Sequence, residues 1–226
     1  MKKIKTISIK FPDIQLSTRD AHKLRGYFGN LFKKHSPLLH NHYEDGQLRY
    51  QYPLVQYKVV EKVPILLGLG EGADLLLDLF LKIKEIKIES QHGEVKTYAV
   101  HSKNIETREH AIGLQEDLQQ YRFQTLWMAL NQKNYSEYVK ANVQKKDLLK
   151  RIAISNILAF YKSFGHFLAE HERILLTLQV DETTTKFKDN EMIAFKGSFT
   201  TNALLPDHIG IGKAVARGFG TIQKIK

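Results

Sequence analysis

The sequence predicts an α+β fold, and three observations in its first 89 residues carry that prediction. Lys3 to Phe11 alternates Lys, Ile, Lys, Thr, Ile, Ser, Ile, Lys, Phe, the period of two that puts apolar side chains on one strand face and basic ones on the other. Leu24, Tyr27, Phe28, Leu31 and Phe32 then recur at helical spacing behind Ser17, Thr18 or Asp20, any one of which can cap the helix. Gly68, Gly70 and Gly72 punctuate the change from a short apolar strand to a second helix.

Taken in order, the first helix runs to about Lys34, where cations suit the C-terminal dipole, and Pro37 stops it. Gln47 to Val60 reads as one long strand or a strand pair rich in tyrosine. Pro64 to Leu69 is a strand, Ala73 to Lys82 a helix with a carboxylate in its first turn, and Lys84 to Glu89 a strand again. Strand, helix, strand, strand, helix, strand is a ferredoxin-like order. The third glycine of the Gly68, Gly70, Gly72 set comes one residue too early for a dinucleotide fingerprint, so it reads as a tight turn.

A polar stretch from Gly93 to Gln119 joins the two halves, with Val95 to His101 expected as strand and Thr107 to Ile112 as helix. Gln120 to Leu130 reads as strand, Tyr135 to Val143 and Lys145 to Phe164 as helices with Gly165 as the stop. Ile174 to Val180 and Met192 to Thr200 form a hairpin turning at Asp189 and Asn190, and Gly220 to Ile225 supplies a last strand. The expectation is two tandem ferredoxin-like (RRM-like) domains, residues 1–105 and 106–226.

Charge narrows the partner. Thirty-four Lys and Arg against 24 Asp and Glu give a formal net charge of +10, a field that attracts polyanions. With no cysteine, disulfides and thiolate metal sites are excluded, which fits a reducing cytoplasm. The N-terminus alternates charged and apolar residues where a signal peptide has a continuous apolar core. The longest apolar run, Ala73 to Leu81, contains Asp74 and Asp78 and is too short to span a bilayer. A cytoplasmic protein with no membrane partner is expected.

Chemistry concentrates in two places. Near the C-terminus, Gly210-Ile-Gly212-Lys213 is followed after three residues by Arg217-Gly218-Phe219-Gly220. Glycines admit positive φ and hold no side chain between backbone N–H groups and an anion, while Lys213 and Arg217 supply charge. A nucleotide P-loop is excluded, because its first glycine is missing and Ala214 stands at its hydroxyl. A Rossmann turn is excluded, because Val215 takes the third glycine position and almost no chain follows. A hairpin that merely turns the chain is the plain alternative.

This pattern, placed directly before a last short strand, resembles the glycine-rich loop of the CRISPR repeat-cleaving endoribonucleases, the sixth Cas family. The resemblance implies that Gly210, Gly212, Lys213, Arg217, Gly218 and Gly220 contact RNA.

The second place is His35 to Tyr43, which holds three of the ten histidines at His35, His40 and His42, after Lys33 and Lys34. Histidine takes and gives protons near neutral pH. Scission of RNA needs a base for the ribose 2′-OH, an acid for the 5′ leaving oxygen and a cation between, a set that two histidines and a lysine supply without metal. Leu39, His40, Asn41 and His42 followed by Tyr50 resemble the branch of the family with a closely spaced histidine pair. The resemblance implies proton transfer by His40 and His42, support from Tyr50 and Lys34, RNA contacts from Lys33 and Arg49, and no metal or cofactor.

Other readings of these histidines are weaker. An HNH nuclease spreads its residues over a ββα unit, whereas these are consecutive. Zinc at His35, His40 and His42 lacks a completing carboxylate or cysteine and sits beside lysines. An exposed polar loop is the bland reading. His166 and His171 are five apart, on different helical faces, and lack zincin spacing. The function implied is metal-independent cleavage of CRISPR repeat RNA into guide RNAs, leaving 2′,3′-cyclic phosphate and 5′-hydroxyl ends. The alternative is an RNA-binding module of the same fold without cleavage. A CRISPR effector complex and a homodimer are further expected partners.

Overall fold

The computed structural model describes residues 1–32, 51–89, 93–140, 144–187 and 190–225. By internal contacts the chain divides into two compact units. One is Ile4–His110 with Ala216–Gly218, and the other is Met1–Lys3 with Ala111–Val215 and Phe219–Lys226. None of the described helices is long and apolar enough to cross a membrane.

In the N-terminal unit the elements run β1 (Lys2–Lys10) from Ile4 on, α1 (Ala21–Leu31), β2 (Val55–Val60), β3 (Val63–Leu69), α2 (Glu71–Leu79), β4 (Glu85–Glu89) and β5 (Val95–Ala99). Antiparallel strands lie in the order β2-β3-β1, with Ile9 opposite Leu66 and Leu66 opposite Tyr57. These three side chains share one sheet face, and Phe28 of α1 stacks on Tyr57 at 6.0 Å and on Phe11 at 6.3 Å. Ser17 and Asp20 form a reciprocal capping box on a 3-10 turn that leads into α1. Gly70 caps α2 with φ +54°, and a Cβ on Gly72 would stand 2.2 Å from the Leu54 carbonyl oxygen, so the glycine triplet is the strand-to-helix turn that its spacing indicates.

Three expectations need correction. Within Gln47 to Val60, only Val55 to Val60 is strand among the described residues, because Pro53 has no N–H to donate to a ladder. β4 bonds with β5 in a separate two-stranded sheet. Thr107 to Ile112, expected as helix, lies inside the long strand β6 (Asn104–Phe123), where sheet pairing overrides the helix propensity of Glu106, Arg108 and Glu109.

The C-terminal unit contains β6 from Ala111 on, α3 (Gln132–Lys140), α4 (Lys145–Ser163), β7 (Leu176–Phe187), β8 (Asn190–Leu204) and β9 (Ile222–Lys224). Its antiparallel order is β9-β6-β8-β7. Helices α3 and α4 make the first crossover of a ferredoxin-like βαββαβ unit. The second crossover, from β8 to β9, is the glycine-rich stretch with a single 3-10 turn at Val215–Arg217. Phe123 stacks on Trp127, and Phe195 and Phe199 pack tilted against this pair to form an aromatic core. The Tyr161 hydroxyl of α4 donates to the Gly113 carbonyl at 2.6 Å and lies 3.1 Å from the Leu204 carbonyl, within reach of both central strands.

Candidate nucleic-acid interface

The glycine-rich stretch begins where β8 ends. Tyr121 receives the Leu205 N–H at 3.0 Å and donates toward the Leu205 carbonyl at 3.3 Å, which fixes the entry. Burial pushes the pKa of this phenol up to about 12, so it stays protonated and donates. His208 turns the chain with φ +64°, and its N–H meets the Ile222 carbonyl at 2.8 Å. The Ile222 N–H returns to Ile209, and the Ile211 N–H reaches Gly220 at 2.9 Å. The stretch is therefore a closed hairpin whose tip carries Lys213 to Gly218.

Each glycine has a local cause. Gly220 (φ +62°) faces the Ile211 carbonyl, which a Cβ would approach to 1.9 Å. Gly212 (φ +100°) lies on Trp127 and Met128, with 2.7 Å left for a Cβ to either. Gly210 faces Val215 and Phe219, and Gly218 (φ +89°) faces Ala21 and Tyr57. Ala214 adopts φ +56°, a left-handed conformation that costs a non-glycine residue free energy.

The N–H groups of Ile211, Lys213 and Gly220 are spent on protein carbonyls, Lys213 on Met128 at 2.9 Å and Gly220 on Leu126 at 2.8 Å. Those three N–H groups are therefore turned inward, and Lys213 and Arg217 bring side-chain charge to the tip. Lys213 is exposed and Arg217 half-buried.

Residues Lys33, Lys34, His35, His40, His42, Arg49 and Tyr50 lie outside the described residues. Of the expected site, Gly210, Gly212, Lys213, Arg217, Gly218 and Gly220 fall together on one hairpin. His166 and His171, expected on different faces of a helix, lie beyond the end of α4 and outside any helix, and His166 packs edge-on against Tyr161 at 5.1 Å with Nε2 buried.

Two cations escaped sequence reasoning. Arg25, on α1, is half-buried, and its pKa is lowered by burial and then by the charge of Arg217. Lys58, on β2, is fully buried, and desolvation pushes its pKa down to about 7. The sequence signals neither, since each sits in an ordinary amphipathic pattern.

Ferredoxin-like units in tandem, the second closed by a cationic glycine-rich hairpin, define a protein of the Cas6 type. Family models described as the Cas6b N-terminal domain and the Cas6b C-terminal domain match residues 2–110 and 113–225. A crystal structure described as Cas6b is 32% identical with a TM-score of 0.92, covering 99% of this chain and 100% of that one. A second, described as the CRISPR RNA processing endoribonuclease Cas6b, is 30% identical with a TM-score of 0.76 over 99% and 100%. A Methanocaldococcus jannaschii protein described as uncharacterized, MJ0978, is 33% identical over 150 residues, 66% of this chain and 98% of that protein. The chain belongs to the Cas6b family of CRISPR repeat-cleaving proteins.

Proposed function

We propose that this protein is an endoribonuclease that cleaves CRISPR repeat RNA into guide RNAs without a metal ion. The observation that carries the reading is the end-to-end likeness to a Cas6b described as a CRISPR RNA processing endoribonuclease. The net charge of +10 and the cationic hairpin support it.

In the proposed reaction one of His40 and His42 removes the ribose 2′-OH proton, and the oxygen attacks the adjacent phosphorus. The bond from phosphorus to the 5′ oxygen breaks, and the other histidine protonates that oxygen. The products are a 2′,3′-cyclic phosphate and a 5′-hydroxyl. Lys34 and Tyr50 assist, and a cation beside the phosphorane offsets its developing charge. Lys33, Arg49, Lys213 and Arg217 hold the RNA by its phosphates. The compartment is the cytoplasm, and a CRISPR effector complex and a homodimer are the assemblies this reading admits.

The deciding experiment incubates the protein with labelled repeat RNA in excess EDTA, beside the same RNA carrying a 2′-deoxy sugar at the cleaved position. Cleavage of the first and binding without cleavage of the second are expected. Scission of the deoxy RNA would overturn the mechanism, and binding with no scission of either would leave an RNA-binding module.

A further inference from the structure

The tip of the glycine-rich hairpin, Ala216–Gly218, belongs by its contacts to the N-terminal unit. Gly218 is buried against the first turn of α1, where a Cβ would come within 2.8 Å of the Ala21 Cβ and 3.1 Å of the Tyr57 carbonyl oxygen. Ala21 and Arg25 are four residues apart, so their side chains lie on one face of α1. Arg217 immediately precedes Gly218. This brings two half-buried guanidiniums to the same ground, near enough that the charge of Arg217 lowers the pKa of Arg25.

Like charges in a partly desolvated place repel and cost free energy, and an anion between them reverses the sign. The guanidinium fork matches a phosphate in two bonds at once and is more weakly hydrated than an ammonium, so it gives up water at lower cost. Gly218 allows this juxtaposition, because any side chain there would push the tip off α1.

We propose that Arg25 and Arg217 together hold one phosphate of the RNA backbone at the tip of the glycine-rich hairpin. The proposal rests on the RNA-cleaving reading and adds to it a residue of α1, 192 positions away in the sequence. It also defines a task for the tip, which carries one arginine of the clamp to the other.

The test measures affinity for repeat RNA with a 2′-deoxy sugar at the cleaved position, over a series of salt concentrations. It compares wild type, Arg25→Gln, Arg217→Gln and the double variant. Each single change should weaken binding about tenfold, as loss of a hydrogen-bonded charge does. Each should also lower the salt slope by roughly 0.7, the value for one single-stranded phosphate. Because one phosphate is held by both, the double variant should be little worse than either single variant.

An unchanged slope in Arg25→Gln, or multiplying effects in the double variant, would overturn the clamp. If Arg25→Gln lowers the melting temperature, Arg25→Lys decides. Slope retained with severalfold weaker binding supports the fork, and full affinity overturns it. Wild type that binds no repeat RNA would overturn the RNA-cleaving reading and the clamp with it, whereas wild type that binds and cleaves beside unaffected variants removes the clamp alone.

Discussion

The indole of Trp127 is the floor under Gly212: a Cβ on Gly212 would stand 2.7 Å from Nε1, and 2.7 Å from the Met128 carbonyl oxygen. Backbone and buried ring leave no direction in which to yield. Gly212→Ala should therefore destabilise the protein by about 2 kcal/mol or more, since φ +100° is also strained for alanine. Trp127 is the single tryptophan and is fully buried, so its emission reports the site. The urea midpoint should fall and the native emission should shift to the red. An unaltered midpoint would show that the hairpin repacks freely.

Lys213 spends its N–H on Met128, so what it brings to an anion is its exposed ammonium. Lys213→Ala should lower the salt slope of repeat RNA binding by roughly 0.7 and leave base preference unchanged. Titrations at several salt concentrations, with matched and scrambled RNA, check both parts. A changed preference with a constant slope would indicate a base contact instead.

His40→Ala and His42→Ala should each slow single-turnover cleavage by roughly a hundredfold or more while affinity stays near wild type. Tyr50→Phe and Lys34→Ala should cost less. If both histidine variants retain the full rate, the proton transfers belong elsewhere, and His35 is the next residue to change.

Lys58 links stability to pH. Its folded pKa, about 7, lies below the 10.5 of an exposed lysine, so between these values the unfolded chain binds more protons than the native one. Stability should thus rise with pH from about 7 to 10.5, by at most about 1.4 kcal/mol per pH unit from this group, and stay level below 7 as far as Lys58 is concerned. In Lys58→Met that rise should be lost. Urea melts of both proteins at pH 7, 8 and 9 measure it, and parallel curves would contradict the assignment.

Much of the fold was legible because its signals are local. The strand within Lys3 to Phe11, a cap among Ser17, Thr18 and Asp20 and the glycine turn before α2 each depend on neighbours within a few residues, and each is present, although Thr6 and Ser8 are buried along with Ile7 and Ile9, so that part of β1 has no exposed face. The hairpin from Ile174 to Thr200 was placed correctly but extends further, to Leu176–Phe187 and Asn190–Leu204, because long antiparallel pairing recruits Thr183, Thr184 and Thr185 despite their polar run. Thr107 to Ile112 was misread for the converse reason. Its helix formers express a local preference that sheet pairing overrides.

The candidate site divides along the same line. By itself the sequence determined the glycine, lysine and arginine spacing near the C-terminus, the histidine cluster and the positive charge, and through them the family. Tertiary structure alone decided why Gly212 must be glycine, since the obstacle is Trp127, 85 residues earlier, and why Arg25 matters, since its neighbour Arg217 lies on the last hairpin. It also decided that Lys58 is buried, although its strand pattern would equally suit an exposed face. Propensity, capping and periodicity act over a few residues and can be read from the chain, whereas burial, charge coupling and steric room are set by segments that only folding brings together.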